Sequence, residues 1–382
     1  MPDVGPPEGD TEVDSLSAVL DQGFGRKPAD AVRWRDRVEP KALRVVRRSG
    51  RVVGGLRIVR MGQWFAGRVV PMGGIASVAV APEQRGTGAA ASLMTSTLEE
   101  LHADGFVLSV LFPAADGPYR RVGYERAGSY VGYRLPLRLM GELEPMLDIV
   151  RVESDGIGDL RAVYDARART TAGNLDRDEG LNRNVFEDAY VYSADRGREI
   201  EGYVAFTQSR EGDMRYDLRC RDLVATTPEA ARSLLAFCAG HRSMARDLLF
   251  HGAPNEPLLY HVSEQEATVT QTWSWMSRIV DVRGALEARA YPAGLDADVH
   301  LDVRDDVLGW NEGRFVLEVG DGHGKVRKGG RGRLGIDVRG LAALYTGHLT
   351  TGELASVGLA DGADPPADAV FAGPAPWMPD FF

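Results

Sequence analysis

The chain has 382 residues, 44% hydrophobic and 26% charged, enough for two or three folded domains with sizeable cores. Its formal net charge is −10, and its basic residues, nearly all arginine, form no stripe or patch, which argues against nucleic acid as a main partner. Two cysteines make neither a disulfide framework nor a metal cluster, no apolar run is long enough to span a bilayer, and the acidic, Pro/Gly-rich opening is unlike a signal peptide. A cytoplasmic protein with no membrane partner and no metal is expected.

The opening, through Asp14, reads as a frayed tail. Residues 13–24 read as a helix. Residues 42–48 and 51–60 read as a hairpin joined by Ser49-Gly50, and 63–70 as a third short strand. Val78 and Val80 belong to an apolar strand that stops at Pro82. Arg85-Gly86-Thr87-Gly88-Ala89-Ala90 follows, and then a helix over 88–102 whose apolar face is Leu93, Met94, Leu98 and Leu101. Strand, glycine-rich turn, helix suits phosphate. Glycines let the backbone come close, amides at the helix start point at the anion, and Arg85 adds a charge. No GK[ST] follows, so this is not a Walker loop, and the glycine spacing is not that of a dinucleotide fingerprint. Residues 106–111 read as a buried parallel strand. A short helix around Tyr119 leads to Val122-Gly123-Tyr124, and 124–133 reads as a strand.

A second unit, about 144–282, has a helix at 159–170 and strands at 201–208 and 213–224. The strand through Val224, Pro228 and the amphipathic helix after it echo the first unit without its glycines or arginine. Cys220 and Cys238 read as buried thiols, and the seven histidines lack metal-ligand spacing. A third unit, about 283–382, alternates short strands at 299–304, 314–318, 325–328 and 333–337 with a helix at 339–346 and another helical turn or two in 354–361. A mixed α/β layer with an antiparallel sheet fits. Its end is stiffened by Pro374, Pro376 and Pro379 and can be anchored by Trp377, Phe381 and Phe382.

The pattern R-x-x-G-x-A directly after a V-x-V-x-P strand resembles the coenzyme A pyrophosphate loop of the GCN5-related N-acetyltransferase (GNAT) superfamily. The three units in this order resemble the enhanced intracellular survival (Eis) acetyltransferases. The resemblance implies a mixed α/β fold with a catalytic GNAT domain (1–140), a degenerate GNAT domain (141–282) and a C-terminal unit similar to sterol carrier protein (283–382). The usual first GNAT strand is not found before Val13. By resemblance, Val78 and Val80 pair with the pantetheine arm of acetyl-CoA and face its thioester, and Arg85, Gly86, Gly88 and Ala89 take the pyrophosphate. Tyr124 matches the general acid, and the terminal carboxylate of Phe382 the general base. Phe24 and Trp34 fall where the family lines its amine pocket. Ser77 stands where the family has an aromatic residue, and Asp380 lies one position further from the end than the usual acidic residue, departures that put the pocket and its substrate in question. The implied acceptor is a small-molecule amine of the aminoglycoside-like, polycationic kind, and the implied assembly a homo-hexamer.

This chemistry needs a base for the ammonium, a donor for the thioester oxygen and an acid for the departing thiolate. Tyr124 could instead be a core tyrosine like Tyr130 and Tyr133, and the end of the chain a disordered tail. Rival readings are a protein lysine acetyltransferase, an enzyme transferring another acyl-type group, and a lipid or small-ligand carrier built on the third unit.

Overall fold

A computed structural model describes residues 3–140, 142–210 and 214–382. The first stretch contains β1 (Asp3–Gly5), α1 (Asp10–Phe24), α2 (Pro28–Arg37), β2 (Leu43–Arg48), β3 (Arg51–Phe65), β4 (Arg68–Val80), α3 (Ala89–Ala103), β5 (Leu108–Leu111), α4 (Asp116–Arg120) and β6 (Glu125–Pro136). The next contains β7 (Asp148–Arg151), α5 (Leu160–Arg169), β8 (Leu175–Asp176), α6 (Glu179–Phe186), β9 (Tyr190–Arg196), β10 (Glu199–Ser209), β11 (Tyr216–Ala225), α7 (Pro228–Ala239), β12 (Ala245–Gly252) and β13 (Thr268–Ile279). The last contains α8 (Val282–Ala288), β14 (Ala297–Arg304), β15 (Gly313–Gly320), β16 (His323–Lys328), β17 (Leu334–Asp337), α9 (Val338–Tyr345), α10 (Thr351–Ser356) and α11 (Pro365–Phe371).

The first two stretches share one sheet, ordered β1-β2-β3-β4-β5-β13-β6-β12-β11-β10-β9-β7, with β8 pairing to β3. Strand β13 therefore lies between β5 and β6, antiparallel to both. The third forms its own sheet, β16-β15-β14-β17. Helices form where the apolar stripe has a helical period. Val13, Leu16 and Leu20 bury one face of α1, and Leu93, Met94, Leu98 and Leu101 one face of α3. Each such leucine contributes roughly 1.5–3 kcal/mol of transfer free energy. Cys220 and Cys238 are buried free thiols.

Three expectations fail. The helical stretch expected over 354–361 lies earlier: α10 is Thr351–Ser356, capped by Thr350, and residues 357–361 are turns, bends and a bridge. The opening is not frayed: Asp3–Gly5 pairs with Val45–Arg47 as the missing first strand, and the Arg47 guanidinium binds Glu12 and the Pro6 carbonyl. Residues 63–70 are not one strand. The chain reverses at Ala66-Gly67, with φ of 49° and 87°, and β3 and β4 form a long hairpin. The last residues of β3, Gly62 to Phe65, are all buried, while Arg68 and Val69 after the turn are exposed. The expected boundary at Gly141 and the expected strand start at Asp213 lie outside the described residues.

Candidate active site

Strand β4 leaves its neighbour partway along. It pairs with β5 only over Met72–Gly74, opposite Leu108–Val110. From Ile75 to Val80 no strand among the described residues covers that side, so backbone N–H and C=O groups are left facing a fork. Pairing with β3 also slips here. Gly55 lies opposite Ala79 but Arg57 opposite Ala76, and Ser77 in the bulge has a φ of 54°. Bulges re-aim a strand, and this one turns Val78 and Val80, both partly exposed, along the open side.

The loop after the strand is built for an anion. Gly86 and Gly88 have φ of 75° and 86°, values that disfavour any side chain. No side chain caps α3, and the amides of Gly86, Gly88 and Ala89 have no acceptor among the described residues. Arg85 is exposed on the loop. Arg48, which sequence reasoning passed over, brings a second guanidinium: its Nη2 donates to the Thr87 carbonyl at 2.5 Å. Its signal is only its place at the turn of the β2–β3 hairpin. The matching place in the second unit is closed. Thr227 Oγ1 accepts from the Ala230 amide of α7 and Pro228 has no N–H to offer.

Tyr124 is fully buried, and its hydroxyl lies 2.7 Å from Ser109 Oγ. Ser109 in turn donates to the Gly73 carbonyl at 2.9 Å, so Tyr124 is the donor to Ser109. Burial pushes the phenol well above its ordinary range, only partly offset by the Ser109 bond and the Arg278 charge, so it holds its proton at neutral pH. Gly123 is required beside it: its φ is 88°, and a Cβ there would lie 2.6 Å from Arg278 Nε.

The end of the chain is held residue by residue. The Trp377 amide donates to the Ala172 carbonyl, the Met378 amide to Ser129, and Asn174 Nδ2 to the Trp377 carbonyl. Asp380 is buried, with both oxygens about 3 Å from Arg177 Nε (3.0 and 3.1 Å) and Tyr164 Oη 3.5 Å away. It is thus an anchor for the tail rather than a free pocket carboxylate. Phe382 ends the chain with its ring against Gly74 and Met61 and 6.1 Å from the Phe112 ring. Gly73, bonded to Ser109, and Gly74, covered by Phe382, are consecutive residues with opposite faces. Tyr124, through Ser109, and Phe382 therefore lie on opposite faces of the sheet at Gly73-Gly74.

Phe24 ends α1, half exposed, beside Gly23, whose Cβ position lies 3.4 Å from Ala79 of β4. Trp34 packs in the α1–α2 cluster with the Arg26 guanidinium 4.8 Å above its ring. An aromatic wall went unread in the sequence. Phe112 lies 4.7 Å from Phe381, and Tyr130 lies 4.3 Å from His251 and 6.0 Å from Trp273. Burial raises the Tyr130 phenol to about 12 and lowers His251 to about 4. These residues come from separate strands and the tail, so no local spacing announces them.

A model of the GNAT acetyltransferase domain matches residues 7–127, a second GNAT acetyltransferase model matches 170–283, and a sterol carrier protein domain model matches 282–379. An uncharacterized N-acetyltransferase of Streptomyces avermitilis is 30% identical over 347 residues, covering 83% of each chain. The chain belongs to the Eis-like GNAT N-acetyltransferases. N-acetyltransferase Eis of Mycobacterium tuberculosis is 26% identical over 86% of this chain and 85% of its own. A crystal structure of a GCN5-related N-acetyltransferase from Anabaena variabilis superposes with a TM-score of 0.95 at 36% identity over the full length of both chains. GNAT acetyltransferases use acetyl-CoA, and the fork, the bulge and the uncapped glycine loop fit its thioester, arm and pyrophosphate. In this Eis-like chain the interior of the sterol-carrier unit is packed around one arginine. Arg289 is buried with its guanidinium 5.0–5.9 Å from the rings of Tyr345, Tyr291, Phe371 and Phe65.

Proposed function

We propose that the chain transfers an acetyl group from acetyl-CoA to the amine of a small molecule, with Tyr124 as general acid and the Phe382 carboxylate as general base. The observation that carries this reading is the convergence of both residues on Gly73-Gly74, where β4 and β5 part. Acetyl-CoA supplies an activated thioester. A terminal carboxylate ionises at roughly 3.3–3.7, so Phe382 is anionic at neutral pH and takes the proton from the acceptor ammonium. The freed amine forms its bond to the acetyl carbon as the carbon–sulfur bond breaks. A backbone N–H of the Val78–Val80 stretch donates to the thioester oxygen. Tyr124 hands its proton to the departing sulfur, and the acylated nitrogen sheds its second proton, which restores the phenol. The packed interior around Arg289 speaks against the third unit as a lipid carrier.

The test is release of coenzyme A thiol with the natural C-terminus, against aminoglycosides, polyamines and a lysine peptide. Release with a small amine supports the reading. Release with the peptide alone moves it to protein lysine, and no release despite acetyl-CoA binding points to another acyl donor. The aminoglycoside-like acceptor and hexameric assembly are carried from the family resemblance, and a cytoplasmic location from the composition and cysteine usage. Sedimentation reads the assembly.

A further inference from the structure

Strand β3 crosses the face of the sheet on which Phe382 sits. Alternation puts Arg57, Val59 and Met61 on one face. Val59 lies opposite Gly74, where the terminal ring rests, and Arg57 opposite Ala76, beside the Ser77 bulge. Arg57 is therefore two positions along the strand from the terminal residue's seat. A cleft of about 870 Å³ opens here between α2 and α6, lined by Asp36, Arg37, Arg57, Val59, Asp178 and Arg183 among others. That volume suits a small molecule.

Arg57 is the odd group in it. Its Nε is buried with no hydrogen-bond partner, and it makes no ion pair with any described residue. Two neighbouring cations are already satisfied: Arg37 by Glu187 at 2.7 Å and Lys41 by Glu39 at 3.1 Å. The opposing charge that Arg57 feels is Asp178, which uses Oδ1 to cap α6 through the Leu181 amide at 2.7 Å. Burial pulls the Arg57 pKa down, and Asp178 only partly restores it. Arg57 is half-buried, and a buried Nε without a partner is costly, while a planar fork of donors fits carboxylate or phosphate.

We infer that the acceptor carries an anionic group, carboxylate or phosphate, which pairs with Arg57 while its amine reaches the fork beside Phe382. This rests on the acetyl-transfer reading above and replaces a purely polycationic acceptor with an amphoteric one.

The experiment compares kcat/KM for γ-aminobutyrate, its uncharged analogue γ-aminobutyramide, putrescine and phosphoethanolamine, in the full chain and in Arg57→Met and Arg57→Lys. One or both anionic amines should exceed the neutral and dicationic ones by about tenfold or more, as a charged hydrogen bond predicts. Whichever anion wins identifies the group. The preference should collapse toward one in Arg57→Met and survive in part in Arg57→Lys. Putrescine or an aminoglycoside used as well as the anions, or a preference unchanged in Arg57→Met, would overturn the inference and leave the acetyltransferase reading intact. If no amine is acetylated, calorimetry with coenzyme A present decides. Saturable binding of an anionic amine that Arg57→Met abolishes upholds the Arg57 pairing while the transfer reading falls, and binding of neither anion overturns both.

Discussion

Replacing Arg177 by methionine should loosen the end of the chain more than any other single change. The Arg177 side chain is 1% exposed and bridges two carboxylates, Asp222 and Asp380, each 5% exposed. Its Nη1 donates to Asp222 at 2.5 Å, and its guanidinium lies 3.8 Å from the centre of the Tyr164 ring. Methionine keeps the volume and removes the charge, leaving two buried carboxylates facing each other. Breaking a buried pair in this way costs about 3–5 kcal/mol, a large share of a typical stability of about 5–15 kcal/mol. The pH dependence has a definite sign. Asp380 is raised above its ordinary range, first by burial and then by Asp222, against the pull of Arg177. A group raised on folding contributes stability that is full below its unfolded pKa and is lost as pH rises through the folded value. The Arg177→Met defect should therefore be greatest near neutrality and shrink in acid, as Asp380 takes up a proton. Adding Asp380→Asn should recover part of the loss at about pH 7, since it removes one of the two opposed charges. Urea unfolding of the wild type, both single variants and the double, at about pH 7 and about pH 5, reads all of this. A loss below about 1 kcal/mol for Arg177→Met, or no recovery in the double variant, would refute the argument. With the tail loosened, turnover should fall while acetyl-CoA affinity holds.

Three further outcomes are expected. Tyr124→Phe should lower kcat by about a hundredfold or more while leaving the acetyl-CoA Kd nearly unchanged, and an unchanged rate would remove Tyr124 from the chemistry. Extending the chain past Phe382, or amidating it, should abolish thiol release without altering the melting temperature; a fully active C-terminal fusion would sink the terminal-base assignment. Gly74→Ala would put a Cβ 2.6 Å from the Phe382 ring and 2.8 Å from Met61 Cε, so it should displace the terminal residue. Its cost should be about 1–3 kcal/mol of overpacking together with a fall in kcat, read by denaturation and steady-state kinetics.

What the sequence alone determined was whatever lies close together along the chain. The run from Val78 to Ala89 is contiguous, so its strand, its positive-φ glycines and its open helix start could be read directly. The faces of α1 and α3 follow from the helical period. Tertiary structure decided the rest, because contacts between distant residues leave no local period. Asp380 finds Arg177 across 203 positions, and Arg339 binds Glu125 across 214. Strand β13 enters the sheet between β5 and β6, and the aromatic wall draws on strands that only the assembled sheet brings side by side. The same holds for the placing of Tyr124 and Phe382 on either face of Gly73-Gly74. Each is visible in the sequence, but the fork at Gly73-Gly74 that joins them exists only once β4 has left β5, because strand pairing and its interruption are properties of two chains of atoms side by side, not of one.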